Sequence, residues 1–326
     1  MARPTTTPTW TPVYSITPRA AQLLMGIEAA KTEIEHLVLP PTVETELRRQ
    51  ARLRSTHYST RIEGNRLTLA EAEKVIHEVK IGFRGRERDV REVRNYWNAL
   101  RLVEEWAQAN RIVSENLISS LHALVEHGAR ARPTPYRDGQ NVIRDAASGA
   151  IVYLPPEAKD VPGLMASFVR WIRETGQTSV PVPLVAALAH YQFVTIHPYF
   201  DGNGRTARLL ATFLLHRGGY GLSGFYSLEE HHARDLAGYY GGLAVHPHHN
   251  YYLGRADADL TPWLDYFVGT LAETFAAVRS EAGRLAKQGM TAVPEPLRKL
   301  DRRARIVLGL FAASERITAP DVARAL

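Results

Sequence analysis

The chain has 326 residues, 45% of them hydrophobic and 23% charged, a balance that supports a full buried core and argues against wholesale disorder. It contains no cysteine, which excludes disulfides, cysteine-ligated zinc and thiol nucleophiles, and no apolar run long enough to cross a bilayer. The net charge of +6 permits phosphate or nucleic-acid partners without requiring them. The opening residues have no apolar core of the signal-peptide kind, so a cytoplasmic location is expected.

Residues 1–18 are rich in Thr and Pro and are expected to be extended. A helical region follows over residues 19–110. Apolar residues recur at three- and four-residue steps from Arg19 until Pro40 and Pro41 interrupt them. A second, highly charged helix runs to Gly64, a C-cap candidate. Thr68 and Glu71 form a capping box for a third, and REVRNYWNALRLVEEWAQA reads as a strong amphipathic fourth. Residues 111–288 form the next unit, opened by a helix capped by Ser114. Residues 133–156 change character: strand-like runs at 141–143 and 150–154 around Ser-Gly predict a small hairpin. Helices resume over VPGLMASFVRWIRE, PVPLVAALAHYQFVTI, SLEEHHARDLAGYYGGLA and a long LTPWLDYFVGTLAETFAAVRSEAGRLAKQ. Residues 296–326 resemble the first two helices of a winged helix-turn-helix. The chain stops where a recognition helix should begin, so DNA reading is not expected of it. The fold class is therefore mainly α, with one hairpin.

The chemistry concentrates in VTIHPYFDGNGRTARLLATFLLHRGG. The residue before Pro198 is pushed out of the α region, so His197 is presented at a helix exit rather than packed inside one. Gly202 and Gly204 allow successive N–H groups to converge as an anion-binding nest. A new helix starting at about Gly204 aims its positive end at the same place. Arg205 and Arg208, three apart, share a face of that helix, and the Asp201 carboxylate suits a Mg²⁺ that also takes phosphate oxygens. Five clustered histidines (His231, His232, His246, His248 and His249) match no metal-binding spacing and read as surface or loop residues.

HPYFDGNGRTAR resembles the Fic family signature H-x-F-x-(D/E)-G-N-G-R-x-x-R, with Tyr199 where Phe is usual. The resemblance implies a Fic-type helical bundle with a flap hairpin, and transfer of AMP from ATP to a hydroxyl of a target protein. It implies His197 as general base, Asp201 as the Mg²⁺ ligand, and a phosphate cradle of Gly202, Asn203 (backbone and side chain) and Gly204. Arg205 would support the leaving phosphate and Arg208 the γ-phosphate. The flap, which Asn141 opens and Leu154 closes, would dock the target by adding a strand. Tyr239 and Tyr240, in DLAGYYGGL, would contact the adenine.

STRIEGN carries a second resemblance. Ser59 and Glu63 are four apart on one helix face and match the family's inhibitory pattern (S/T)-x-x-x-E-(G/N), of the type with the brake N-terminal to the core. The likeness implies that Glu63 pairs with Arg208 and displaces the γ-phosphate. Other readings stay open at this stage: another nucleotide as donor, removal of AMP from a modified target, or a nucleotide sensor linked to DNA binding. Self-modification and a homodimer are both compatible with the sequence.

Overall fold

The computed structural model describes residues 9–78, 84–128, 132–144, 148–176 and 178–292, with six isolated positions beyond. The expected winged-helix segment at 296–326 thus lies outside the described residues apart from those six positions. Among the described residues there are eleven α-helices and one two-stranded sheet.

α1 (Pro18–His36) starts where Thr17 accepts from the Ala20 N–H and Pro18 pre-sets the first turn. It lies along α11 (Thr261–Ala292). Ahead of it, residues 9–17 form a strap. Trp10 packs edge-on against Trp171 at 4.8 Å, and the Leu260 N–H donates to the Val13 carbonyl. α2 (Pro41–Ile62) crosses α4 (Glu87–Gln108), with α3 (Leu69–Ile76) beside both. The Thr68–Glu71 capping box forms as expected.

α7 (Val182–Ile196) is apolar on every side, and all of it except Val182 and Val194 is buried. A helix of that kind belongs at the centre of a bundle. It packs against α6 (Val161–Thr175), α8 (Asn203–Leu215) and α11, while α5 (Glu115–His127) covers α8. One apolar cluster runs from Ile27 on α1 to Ala286 on α11, while Leu53, Leu67, Ala72, Val75 and Val93 form a smaller second cluster around α3.

Two local expectations are corrected. SLEEHHARDLAGYYGGLA forms two helices, α9 (Leu228–Arg234) and α10 (Leu236–Leu243). Asp235 leaves helical geometry at φ −119°, ψ 63°, and its carboxylate caps the Gly238 N–H at 2.9 Å, which starts a helix in a new direction. The hairpin is β1 (Ile143–Arg144) paired antiparallel with β2 (Ile151–Tyr153), shorter than the runs suggested. Asn141 is withdrawn from the ladder because its side-chain amide donates to the Tyr199 carbonyl at 3.0 Å.

Candidate active site

α7 ends at Ile196, and His197 adopts the left-handed conformation (φ 52°, ψ 59°). This is uncommon for a residue with a side chain. His197 Nδ1 lies 3.2 Å from the Val194 carbonyl. A carbonyl can only accept, so Nδ1 carries the proton and Nε2 keeps its lone pair. Burial holds the imidazole down at about 4, so it is neutral at physiological pH. Its backbone carbonyl accepts from Arg137 Nε at 2.9 Å. The same guanidinium also donates to the Gly139 carbonyl at 3.0 Å and to the Pro156 carbonyl. Arg137 thereby ties the backbone after α7 to both ends of the hairpin segment. Sequence reasoning assigned it nothing, and only its place in YRDG marks it.

The loop after His197 is fastened by Asn203. Its Oδ1 accepts from the Tyr199 N–H at 3.0 Å and its Nδ2 donates to the Tyr199 carbonyl at 2.8 Å. The Asn203 side chain thus staples the loop, and its amide nitrogen carries a second hydrogen beyond the one given to Tyr199. Gly202 sits at φ 76° as the N-cap of α8, and its N–H donates to Asp201 Oδ1 at 2.7 Å. Two carboxylates close over the two glycines. A Cβ at Gly202 would lie 2.5 Å from Glu126 Oε1, and one at Gly204 would lie 2.2 Å from Glu63 Oε1.

Both arginines of α8 are buried and need compensation. Arg205 Nη2 pairs with Glu126 at 2.8 Å and with Asp201 at 3.4 Å, and Nη1 lies 3.6 Å from Glu92. Burial raises the Glu126 carboxyl while Arg205 opposes that shift. Arg208 Nε donates to Ser59 Oγ at 2.8 Å, and Nη2 donates to the Ser59 carbonyl at 2.9 Å and to Glu63 Oε1 at 2.8 Å. Burial works against the Arg208 charge, yet Glu63 beside it holds the guanidinium above its ordinary value. Ser59 is fully buried at the last turn of α2, whereas the Glu63 side chain keeps 28% exposure. Behind this turn, Asn65 donates to the Asp89 carbonyl at 2.9 Å and to Glu92 Oε2 at 3.0 Å. Glu92 also takes Arg88 Nε at 2.8 Å, and Arg88 Nη2 reaches Asp201 Oδ2 at 3.3 Å. Glu126, Glu92 and Arg88 escaped sequence reasoning because single charged residues on amphipathic helices read as solvated faces.

The structure separates the two tyrosines assigned to adenine. Tyr240 is 49% exposed, but Tyr239 is 1% exposed, so no base can stack on it. Its hydroxyl lies 3.4 Å from Arg208 Nη1 and 2.9 Å from His190 Nε2, which makes it a support for Arg208. Tyr199 is buried and stacks on His122 at 3.7 Å, and its hydroxyl has no partner among the described residues. The histidine cluster also divides. His232 is buried on the inner face of α9 with Nδ1 3.1 Å from the Tyr266 hydroxyl, which corrects its surface assignment. No group of three metal-ligating side chains occurs among the described residues, and none of their helices is long and apolar enough to cross a membrane.

Residues 112–215 match the Fic/DOC family. Protein adenylyltransferase Fic from Drosophila mojavensis is 31% identical over 175 residues, which are 53% of this chain and 33% of that protein. The Drosophila ananassae protein of the same name is 29% identical over 175 residues, 53% of this chain and 34% of its own length. The chain thus spans about a third of the length of the curated relatives it matches. A solved Fic family protein from Desulfovibrio desulfuricans G20 superposes with a TM-score of 0.70 at 26% identity, covering 97% of this chain and 86% of the other. Fic-1 from C. elegans shares the fold at a TM-score of 0.62 and 21% identity, over 84% of this chain and 74% of that one. The loop geometry and the match coincide on the same helices: residues 112–215 are similar to the Fic/DOC family, within a helical fold like that of the solved Fic family protein.

Proposed function

We propose that the protein is a Mg²⁺-dependent protein adenylyltransferase of the type carrying its inhibitory helix N-terminal to the core, and that Glu63 holds it shut. The observation that carries this reading is the position of the Glu63 carboxylate. It lies against Gly204 at the N-terminus of α8 and bonds Arg208 at 2.8 Å, where an anion would otherwise be received.

With Glu63 withdrawn, the N–H groups at the start of α8 and the Arg208 fork would take the terminal phosphates of ATP. Arg205, whose Nε has no partner among the described residues, would face the leaving phosphates. Asp201 offers a hard oxygen ligand on a largely exposed side chain, a donor suited to Mg²⁺. When bound, the ion would offset phosphate charge. A hydroxyl of the target would attack the α-phosphorus. The new O–P bond would form as the bond to the bridging oxygen breaks, releasing pyrophosphate, and the hydroxyl proton would pass to His197 Nε2. Positioning and charge stabilisation would supply most of the rate. The target would lie along the hairpin, where Ile151 and Val152 are exposed. Tyr240 is the remaining candidate for the base.

The test compares ATP labelled at the α- or the γ-phosphate, using Glu63→Gly with and without His197→Ala. Protein labelled only from the α-position, and only while His197 is present, is the expected result. Label from the γ-position, or label that survives His197→Ala, would refute the chemistry.

A further inference from the structure

Besides the Ser59–Glu63 pattern and the contacts of Arg48, Arg52 and Arg54 with Ser223, Glu104 and Glu230, the inhibitory helix meets the core through a buried hydroxyl. Ser55, Ser59 and Glu63 are spaced four apart, so they stack on one face of α2. The last two engage Arg208. One turn earlier, Ser55 Oγ donates to Glu229 Oε2 at 2.8 Å. Glu229 is 2% exposed. Its other bonds come from Ser227 Oγ to Oε2 at 3.1 Å and from the Tyr96 hydroxyl to Oε1 at 3.0 Å. Among the described residues no Lys or Arg pairs with it. A buried carboxylate sustained by hydroxyls alone is costly to strip of a donor.

We propose that Ser55, Tyr96 and Glu229 form a latch that positions α2 in its braking pose, making Ser55 and Glu229 positioning residues for the reaction although neither reaches the nucleotide site. Glu229 is fixed at the start of α9 and Tyr96 on α4, so both stay with the core when α2 moves. Only Ser55 leaves. Part of the seam beneath α2 suits such motion: Ser55, Thr56, Ser59 and Thr60 are buried beside Ala51, Leu53 and Ile62, and the hydroxyls rehydrate on release where those apolar side chains resist it. Tyr96 stands between the two halves of the device: its hydroxyl donates to Glu229, and burial and the Glu229 charge push it up while Arg208 and Ser59 pull it down.

The latch rests on the reading of α2 as a brake, and one experiment separates the two. Initial rates of AMP transfer and amide hydrogen exchange across residues 55–62 are measured for wild type, Ser55→Ala, Ser55→Thr, Glu63→Gly and Ser55→Ala with Glu63→Gly. Loss of one hydrogen bond to a charged group should raise the Ser55→Ala rate about tenfold and speed exchange in α2. Ser55→Thr should behave as wild type. In the Glu63→Gly background Ser55→Ala should change the rate by less than about twofold, since the brake is already gone. Wild-type rate and exchange in Ser55→Ala would overturn the latch, as would the same fold-change in both backgrounds. If Glu63→Gly leaves the rate unchanged, the brake reading falls; the exchange comparison still decides the latch, which unaltered protection in Ser55→Ala would overturn.

Discussion

Replacing Arg137 by Lys keeps a positive charge but removes the fork. The guanidinium reaches three carbonyls in different directions, those of His197, Gly139 and Pro156, from a site that is 4% exposed. An ammonium gathers its donors on one nitrogen and cannot reach all of the carbonyls that face three separate nitrogens of the guanidinium. Two bonds are therefore lost, at about 1 kcal/mol each net, for a total of about 2 kcal/mol. For a chain of this length that lowers Tm by about 3 °C. The second consequence is local. The His197 backbone loses the tie that holds its left-handed conformation, so the base drifts and transfer in a Glu63→Gly background should fall at least tenfold. ATP affinity should hold, because Arg137 makes no bond to the phosphate nest. Thermal melts, ATP titration and initial rates on the same protein read all three quantities. A Lys variant with unchanged Tm and rate would refute the argument, and so would one that loses ATP binding in step with rate.

Tyr199→Phe should stabilise the protein by about 1 kcal/mol, since it removes a buried hydroxyl without a partner among the described residues; a urea midpoint lower than that of wild type would contradict this. Stability should also fall on mild acidification. Burial holds His122, His197 and His216 at about 4 and His232 at about 3, against 6.5 for the free side chain. The unfolded chain takes up these protons first as the pH drops below about 6.5, so stability is full above that value and declines from there toward about 4. Each histidine contributes up to about 1.4 kcal/mol per pH unit within that window. Urea midpoints that stay flat between pH 7 and pH 5 would show that these rings are not held neutral.

Much of the site was legible because its residues are consecutive. HPYFDGNGRTAR places His197, the loop glycines and both arginines within one turn and one helix start, and local rules of Pro, Gly and helix termini act over that distance. Ser59 and Glu63 were legible for a similar reason, since a four-residue step on a helix fixes a shared face. What stayed hidden was pairing across the fold. Nothing near Arg137 in sequence says that its guanidinium will meet the His197 carbonyl, and nothing near Glu229 says that Ser55 will find it. Tyr239 misled for the converse reason. Adjacent tyrosines on a short helix point to different sides, and the burial that put one beneath Arg208 depends on α7 and α11. The helix break at Asp235 was visible in principle, because Asp is a strong N-cap, but the apolar period runs across it. The short hairpin depended on Asn141 bonding the Tyr199 carbonyl, a contact spanning 58 positions.

The most direct test of a transferase held shut from within is its initial rate of AMP transfer at saturating ATP and Mg²⁺, wild type against Glu63→Gly. The Glu63–Arg208 bond joins a buried cation to a partly exposed carboxylate, a contact worth about 1.5–3 kcal/mol, so its removal should raise the rate roughly ten- to 150-fold. Equal rates in the two proteins would contradict the account, because the carboxylate against Gly204 would then be no barrier to the reaction.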